Sequence, residues 1–284
     1  MPYDIVVLAK QVPDTKRVTG DAMKEDGTVN RAALPAIFNP EDLYALELAI
    51  EVKERFGGSV TCLTMGPVSA AEVLREALYR GADRVALITD RRAAASDTLA
   101  TSYILSCAVT HAAPYDIVCC GRQAIDGDTA QVGPQLAQKL SIPQVTYVSD
   151  VEEIAGSLIR VRRHTDYGMQ VVEAPLPALL TVTDKAPEPR YPAMKRVMKY
   201  KKAMSPAEAE ARGLPSPMGD MLIETWDLDT IGADIERCGM AGSPTKVKRI
   251  QSIVLTGSGY HEVQPTQEGI EGLVHELIED HTIG

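Results

Sequence analysis

Short apolar runs alternate with helical patterns through the first half of the chain, and this alternation restricts the fold more than any other feature. The runs are rich in β-branched residues and almost continuous in apolar character, as in strands that are covered on both faces. They are Tyr3–Ala9, Ser59–Met65, Arg84–Thr89 and Tyr115–Cys120. Strand–helix alternation of this kind predicts an α/β fold, with a doubly wound, mostly parallel sheet and right-handed crossovers.

The helices between these strands have recognisable ends. Asn39 is a predicted N-cap, because Pro40 follows it at the first helical position and two acidic residues come next. We expect this helix to end near Phe56, before the glycine pair 57–58. Two further helices are predicted, from Ser69 to Arg80 and from a cap at Ser96 or Asp97 to His111.

Two segments depart from the alternation. A long excursion from Lys10 to Phe38 contains EDGT, which is typical of a hairpin turn, and it follows the first strand, where ligands bind in such folds. After Leu140, four segments predict an antiparallel extension of the sheet, with turns at 155–156 and 167–168. These segments are VTYVSDVEEI, SLIRVRRHT, MQVVEAP and ALLTVT.

The carboxyl-terminal part is proline-rich and weakly patterned, apart from IQSIVL and a helix from about Thr266 to Asp280. Because it has so little core of its own, we expect it to form an arm that docks on a partner subunit. The predicted organisation is therefore a nucleotide-binding α/β domain over residues 1–203, including a basic segment at 186–203, and an extended segment over residues 204–284.

The acidic composition narrows the classes of partner. A net charge of −10 and a pI near 5.1 disfavour nucleic acid or an anionic membrane as a general partner. No apolar run reaches the roughly 20 residues that a membrane-spanning helix needs, and MPYDIVVLAK lacks the features of a signal peptide. The five cysteines have no metal-ligand spacing. We therefore predict a reduced, metal-free, cytoplasmic protein.

The residues that follow each predicted strand should form one ring, because ligands bind beyond the carboxyl ends of parallel strands. Glycines at two of these strand ends would let a ligand approach the backbone closely. The predicted ring comprises Ala9-Lys10-Gln11, Met65-Gly66-Pro67, Thr89-Asp90 and Gly121-Arg122-Gln123.

The loop GRQAIDGD, residues 121–128, is longer than a strand-to-helix turn requires. A helix beginning near Thr129 would direct unpaired N–H groups at a phosphate, although Asp126 and Asp128 would repel one. Asp128 can N-cap that helix, accept from ribose or ribityl hydroxyls, or do both. Arg122 is either a solvated charge or a contact to a phosphate or a flavin ring. Gln123 hydrogen-bonds either the edge of a base or polar groups of the loop itself.

The segment SDTLATSYIL, residues 96–105, carries a second set of polar groups at its start. There Asp97, Thr98 and Thr101 either cap a helix or face the same cleft. The motifs GxGxxG, GxxxxGK[ST], GxSxG and HExxH are absent. The basic run MKRVMKYKK is a solvated face or docks on an acidic partner. The residues themselves thus indicate a nucleotide-binding α/β protein without an evident nucleophile, acid–base pair or metal site.

Several long motifs, in order along nearly the whole chain, resemble the small (beta) subunit of the electron-transfer flavoprotein family. They are AKQVPDT (Ala9–Thr15), FNPEDLYALELA (Phe38–Ala49), TMGP (Thr64–Pro67), GADRVALITD (Gly81–Asp90), GRQAIDGDTAQVGP (Gly121–Pro134) and EPRYPAMKRVMKYKK (Glu188–Lys202). A nucleotide-hydrolysing enzyme of similar α/β class would instead carry an SGGxDS-type loop after the first strand, which this chain lacks.

The resemblance implies a heterodimer in which this chain cradles the mobile flavin domain of an alpha subunit. In ordinary members the beta-chain cleft holds structural AMP. In the electron-bifurcating branch it holds FAD, which takes a hydride from NADH and sends one electron toward ferredoxin or flavodoxin and the other, through the alpha-subunit FAD, toward an acyl-CoA dehydrogenase. KQVPDT, the glycine of DGDT and SDTLATS are similar to the bifurcating forms. Hydride chemistry would then belong to the flavin, with Arg122 tuning it.

Site residues follow from the resemblance position by position. Asp97, Thr98 and Thr101 would contact the additional flavin portion. The nucleotide site would comprise Leu8, Ala9, Asn39, Pro40, Asp42, Met65, Gly121, Arg122, Gln123, Ala124, Ile125, Asp128, Thr129, Ala130, Gln131, Val132 and Gly133. The basic segment resembles the family's recognition loop for the dehydrogenase, with Met194 in place of the commoner leucine anchor. Its expected docking residues are Arg190, Tyr191, Met194, Lys195 and Lys199.

Overall fold

The computed structural model describes residues 2–14, 35–245 and 262–279. Its strands are β1 (Tyr3–Ala9), β2 (Gln11–Pro13), β3 (Ala36–Phe38), β4 (Gly58–Met65), β5 (Arg84–Ile88), β6 (Ile117–Gly121), β7 (Gln144–Ala155), β8 (Leu158–Thr165), β9 (Gly168–Pro175), β10 (Ala178–Val182) and β11 (Glu224–Trp226). Its helices are α1 (Pro40–Phe56), α2 (Ala71–Arg80), α3 (Thr98–His111), α4 (Val132–Leu140), α5 (Met194–Tyr200), α6 (Pro206–Ala211) and α7 (Gln267–Glu279).

Nine of these strands form one sheet in the order β11-β5-β4-β1-β6-β10-β7-β8-β9. From β11 to β7 all neighbours are parallel, and β7, β8 and β9 are antiparallel. Alternate residues of β1 enter two separate cores, one covered by α1 and α2 and the other by α3 and α4. The predicted doubly wound, mostly parallel sheet with an antiparallel extension is therefore confirmed.

The prediction that ALLTVT belongs to the antiparallel extension is wrong. This segment forms β10, which pairs in parallel with β6 on one side and with β7 on the other. Every residue of β10 is buried, as in the other strands that are covered on both faces. An antiparallel extension would need β10 to reverse direction and pair with β9. Instead, β10 lies between β6 and β7 and runs parallel to both.

The helix after β6 begins later than expected. We predicted a start near Thr129 with Asp128 as a possible N-cap, whereas α4 begins at Val132 with Gln131 at the capping position. Asp128 and Ala130 have φ angles of 50° and 52°, which are incompatible with a right-handed helix. The N-cap interpretation of Asp128 is therefore wrong, because the backbone becomes helical only after these two residues.

The other predicted helix starts are close to the observed ones. Asp97 caps α3, since its Oδ1 accepts hydrogen bonds from the N–H groups of Leu99 and Ala100 at 2.9 and 3.0 Å. Asn39 occupies the N-cap position of α1, but its side chain makes no capping hydrogen bond to the N–H groups of the helix. The Asn39 amide is used elsewhere, in the functional site.

Part of the carboxyl-terminal segment completes the sheet. β11 pairs with β5, and Trp226, Leu228 and Ile231 enter the core on the α3 side. By contrast, α7 has no buried residue and exposes Ile270, Leu273, Val274 and Ile278. The predicted EDGT turn and IQSIVL run lie outside the described residues, and the division at residue 203 stays a prediction. No helix within the described ranges is long and apolar enough to cross a membrane.

Candidate functional site

A cleft of about 560 Å³ opens at the carboxyl ends of the parallel strands, where β4 and β6 flank β1. This is the topological switch point of the sheet, where ligands of doubly wound folds bind. Its floor comes from the ends of β1, β4 and β6, one wall from the start of α3, and the other from the loop between β6 and α4.

All but three of the predicted cofactor residues line this cleft. The lining members are Leu8, Ala9, Asp42, Met65, Asp97, Thr98, Thr101, Gly121, Arg122, Gln123, Ala124, Asp128, Thr129, Ala130, Gln131, Val132 and Gly133. Asn39, Pro40 and Ile125 are absent from the lining. Whether the lining residues contact a cofactor stays a prediction.

Asp42 joins the two strand ends that form the floor. Its carboxylate accepts hydrogen bonds from the N–H groups of Lys10, just after β1, and Gly121, at the end of β6, at 2.9 and 2.8 Å. Burial raises the pKa of Asp42 to about 7, against the opposing effect of these donors and of the Asn39 side chain. Because both of its oxygens already accept hydrogen bonds from backbone N–H groups, the role of Asp42 is to hold the two strand ends together at the floor of the cleft.

The loop from Gly121 to Asp128 is built on the start of α1. The buried Asn39 amide donates to the carbonyl of Gln123 at 2.9 Å and accepts from the N–H of Ile125 at 3.1 Å. Glu41 accepts from the N–H of Gln123 at 2.8 Å. Asn39 and Ile125 therefore support the loop from behind, which explains why they do not line the cleft.

The two aspartates of the loop are compensated differently. Both carboxylate oxygens of Asp126 accept hydrogen bonds from the ammonium of Lys10, at 2.7 and 2.8 Å. Asp128 accepts from the side-chain amide of Gln123 at 3.0 Å. The ion pair with Lys10 offsets the negative charge that we expected Asp126 to present to a phosphate.

Arg122 is held at the edge of the cleft. Its guanidinium pairs with Glu41 at 2.8 Å and lies 5.8 Å from the centre of the Tyr147 ring. The hydrogen bond to Glu41 raises the pKa of Arg122. The residue also lines a second cavity on its other side, so it is positioned between two spaces that can hold ligands.

The wall from α3 is joined to the carboxyl-terminal segment. While Oδ1 of Asp97 caps α3, its Oδ2 accepts from the N–H of Thr245 at 3.0 Å. The Thr98 hydroxyl donates to the side chain of Gln131 at 2.9 Å and thereby connects the two walls. The alternatives for Asp97 are compatible, because this residue caps the helix and also lines the cleft.

Several lining residues were not among the predicted cofactor residues. Lys10 belongs to the predicted ring, Gly127 to the loop of residues 121–128 and Ser96 to the predicted start of α3, so the sequence had already located these three near the cleft. Thr245 reaches the cleft from the distant carboxyl-terminal segment, through tertiary packing that no local pattern shows. The omitted residues are Lys10, Ala93, Ala95, Ser96, Leu105, Cys120, Gly127 and Thr245.

The cleft can bind and orient a ligand but offers little reactive chemistry of its own. Burial raises the pKa of the Cys119 thiol to about 12 and raises that of Cys120 well above its ordinary value, so both remain protonated near neutral pH. Among the described residues, no group of three or more His, Cys, Asp or Glu side chains could hold a metal ion.

The basic segment around α5 is fixed to the domain through Arg190. The guanidinium pairs with the buried Glu47 at 2.8 Å and with Glu54 at 2.6 Å, and these carboxylates raise its pKa. Lys199 pairs with Asp220 at 2.8 Å. Tyr191 and Met194 are 88% and 74% exposed, and Lys195 is also exposed. Of the predicted docking residues, Arg190 therefore directs its charge inward, whereas Tyr191, Met194 and Lys195 face solvent.

Comparison with known proteins agrees with this architecture. A family model described as the electron transfer flavoprotein domain matches residues 26–212. Electron transfer flavoprotein subunit beta of Clostridium acetobutylicum is 40% identical over 280 residues, which cover 99% of this chain and 100% of that protein.

Two further relatives are named as parts of acyl-CoA reductase systems. Acryloyl-CoA reductase electron transfer subunit gamma of Anaerotignum propionicum is 42% identical, covering 98% of this chain and 99% of its own length. Caffeyl-CoA reductase-Etf complex subunit CarD of Acetobacterium woodii is 41% identical, with the same coverage. Because the family model and these nearly full-length relatives agree, the chain belongs to the electron transfer flavoprotein family, as a beta-type subunit that acts in electron transfer.

Proposed function

We propose that this chain is the beta subunit of a heterodimeric, electron-bifurcating flavoprotein that binds FAD in the cleft of about 560 Å³. NADH is the proposed electron donor. Ferredoxin or flavodoxin is the proposed low-potential acceptor, and an acyl-CoA dehydrogenase receives the other electron through the alpha-subunit FAD. When bound, the flavin supplies the hydride and single-electron chemistry.

The second wall of the cleft carries this proposal. A mononucleotide needs only the loop of residues 121–133, whose backbone and the first turn of α4 offer N–H groups to phosphates. Thr98 and Thr101 add hydroxyls from α3 on the opposite side of the same cleft. Such hydroxyls suit the ribityl chain of a longer cofactor, and Arg122 at the edge suits its ring or phosphates.

AMP in the same cleft is the alternative, with the chain acting as a simple electron carrier. The hydrogen bonding of Asp97 favours this alternative, because both of its oxygens already accept N–H donors from α3 and Thr245. In that case Asp97 would serve only to hold the wall together.

Counting cofactors separates the two proposals. We expect two flavins per heterodimer when the chain is purified with its alpha subunit and the cofactors are released by acid. Thr101→Val should lower the flavin content toward one, because it removes a cleft hydroxyl. Thr110→Val is the control, since the Thr110 hydroxyl bonds to the carbonyl of Ser106 within α3. One flavin and one AMP in the unmodified heterodimer would overturn the bifurcating assignment.

The alpha subunit is the proposed occupant of the exposed apolar side of α7. Ile270, Leu273, Val274 and Ile278 recur at helical spacing and have no buried neighbour in their own helix. Burial of this stripe against another chain would remove it from water. Copurification with the alpha subunit in the experiment above tests whether the two chains form a stable complex.

We further infer that the exposed segment around Met194 docks on the dehydrogenase. Names of two relatives include acyl-CoA reductases, which supports a partner of this class. Met194→Glu places a charge on the exposed apolar tip, so electron delivery to the dehydrogenase should fall at least tenfold while flavin reduction by NADH is unchanged. Met218→Glu is the control, because Met218 is similarly exposed, at 82%. Equal delivery rates for both variants would refute the docking role.

A further inference from the structure

A second cavity, of about 430 Å³, lies beside the cofactor cleft on the other side of Arg122. It is formed at the carboxyl ends of β6 and β10, next to the turn between β8 and β9. Its volume falls within the range of small-molecule sites, roughly 300–1,000 Å³. The lining residues are Glu41, Arg122, Tyr147, Arg163, His164, Thr165, Asp166, Thr183, Asp184 and Lys185.

Two cationic groups that line this cavity, those of Arg163 and Lys185, have no partner of opposite charge among the described residues. The buried Nε of Arg163 has no hydrogen-bond partner among the described residues, and the guanidinium otherwise reaches only the Thr146 hydroxyl, at 3.3 Å. Lys185 forms no ion pair with any residue that the structure describes. A guanidinium that lines a cavity without a carboxylate partner is available to an anionic ligand, which would bind its terminal nitrogens.

One wall of the cavity is an aromatic ring held in a strained position. Tyr147 has a φ angle of 61°, which is unfavourable for a bulky residue. It lies where the pairing of β10 with β7 shifts register. The side chain is 42% exposed and borders the cavity together with Arg122. The strained backbone thus places an aromatic side chain at the edge of a space that can hold a ring.

We propose that the second cavity binds a nucleotide distinct from the cofactor in the first cleft. Its phosphate would bind Arg163 and Lys185, and its base would stack on Tyr147. The carboxylates of Asp166 and Asp184 would accept from ribose hydroxyls, as acidic residues do in dinucleotide sites. Glu41 adds little repulsion, because it is paired with Arg122. The mixture of cations, carboxylates and an aromatic ring suits a nucleotide better than inorganic phosphate.

The proposal does not depend on whether the first cleft holds FAD or AMP. A mononucleotide or the dinucleotide electron donor could supply this chemistry. Calorimetric titration of the heterodimer, with its resident cofactors bound, distinguishes these sources by using AMP, NAD⁺ and inorganic phosphate as separate probes. We expect one additional nucleotide per heterodimer, with AMP or NAD⁺ binding at least tenfold more tightly than phosphate.

Arg163→Gln should weaken this binding at least tenfold and leave the resident cofactors in place. Arg162→Gln is the matched control, because Arg162 neighbours Arg163 in β8 but pairs with Glu152 and Asp150 outside the cavity, at 2.6 and 3.6 Å. If Arg163→Gln does not fold, Lys185→Gln replaces it, since Lys185 is exposed.

Three results would overturn the proposal: no additional nucleotide on the unmodified heterodimer, phosphate binding as tight as nucleotide binding, or unchanged affinity in the folded cavity variant. None of them depends on the flavin count. A heterodimer with one flavin and one AMP would refute bifurcation and leave the second nucleotide site intact.

Discussion

Gly121→Ala is expected to destabilise the protein by about 3 kcal/mol and to deplete the cofactor of the first cleft. A Cβ atom at this position would lie 2.5 Å from Oδ1 of Asp42 and 2.8 Å from the Asp42 nitrogen and the Glu41 carbonyl carbon. Two of these three atoms are backbone at the start of α1, so relief requires a shift of β6 against that helix. The hydrogen bond from the Gly121 N–H to Asp42, and with it the floor of the cleft, would be disturbed.

Gly127→Ala is the control from the same loop. A Cβ atom there would meet nothing within 4 Å, so we expect a change in the free energy of unfolding within about 0.5 kcal/mol. Denaturant unfolding and the cofactor content of the purified heterodimer measure both effects. Equal unfolding midpoints for the two variants would mean that the close contact between β6 and α1 contributes little to the stability of the protein.

The features predictable from the sequence are those with local causes. β1 has the predicted bounds, Tyr3–Ala9, because a buried strand shows as a continuous apolar run. α1 begins at Pro40 and ends at Phe56, as predicted, because a proline at the start and glycines after the end act within one turn. The strand ends in turn located most of the cleft, since parallel strands bring their carboxyl ends to one edge of the sheet.

Features that depend on distant packing could not be predicted in this way. A fully buried strand such as β10 has the same pattern whether its neighbours are parallel or antiparallel. The late start of α4 follows from positive φ angles at Asp128 and Ala130, for which the alanine gives no signal. β11 is only three residues long, and its place beside β5 depends on the core around Trp226.

The long-range polar contacts in the site were unpredictable for the same reason. Lys10 meets Asp126, Arg122 meets Glu41, and Asp97 meets Thr245, across separations of 116, 81 and 148 residues. Sequence placed most of these groups near one cleft, but it could not reveal which charges neutralise each other. Asn39 illustrates the consequence, because a residue predicted as a helix cap supports the loop instead.

Glu208→Ala is expected to lower the free energy of unfolding by about 2–3 kcal/mol, because it removes a buried carboxylate and leaves the Arg75 guanidinium with only the exposed Glu72, among the described residues, as its ionic partner, at 2.6 Å. Glu208 pairs with Arg75 of α2 at 2.9 Å, and both side chains are nearly inaccessible to solvent. Arg75 also donates to the carbonyl of Ala203 at 3.1 Å. The same carboxylate accepts from the N–H of Ser205 at 2.9 Å and completes the capping box of α6, so the substitution also removes this half of the box.

This ion pair crosses the predicted boundary at residue 203, so its loss tests the domain division. Glu210→Ala, in the same helix but exposed, should change the free energy of unfolding by less than about 0.5 kcal/mol. Arg75→Met combined with Glu208→Leu should recover much of the loss, since no buried charge then remains. A Glu208→Ala protein that unfolds like the unmodified one would mean that the segment after residue 203 contributes little to the stability of the sheet. A large loss in one cooperative transition would instead make α6 and β11 part of the α/β domain, and leave only the chain beyond them as an arm for the alpha subunit.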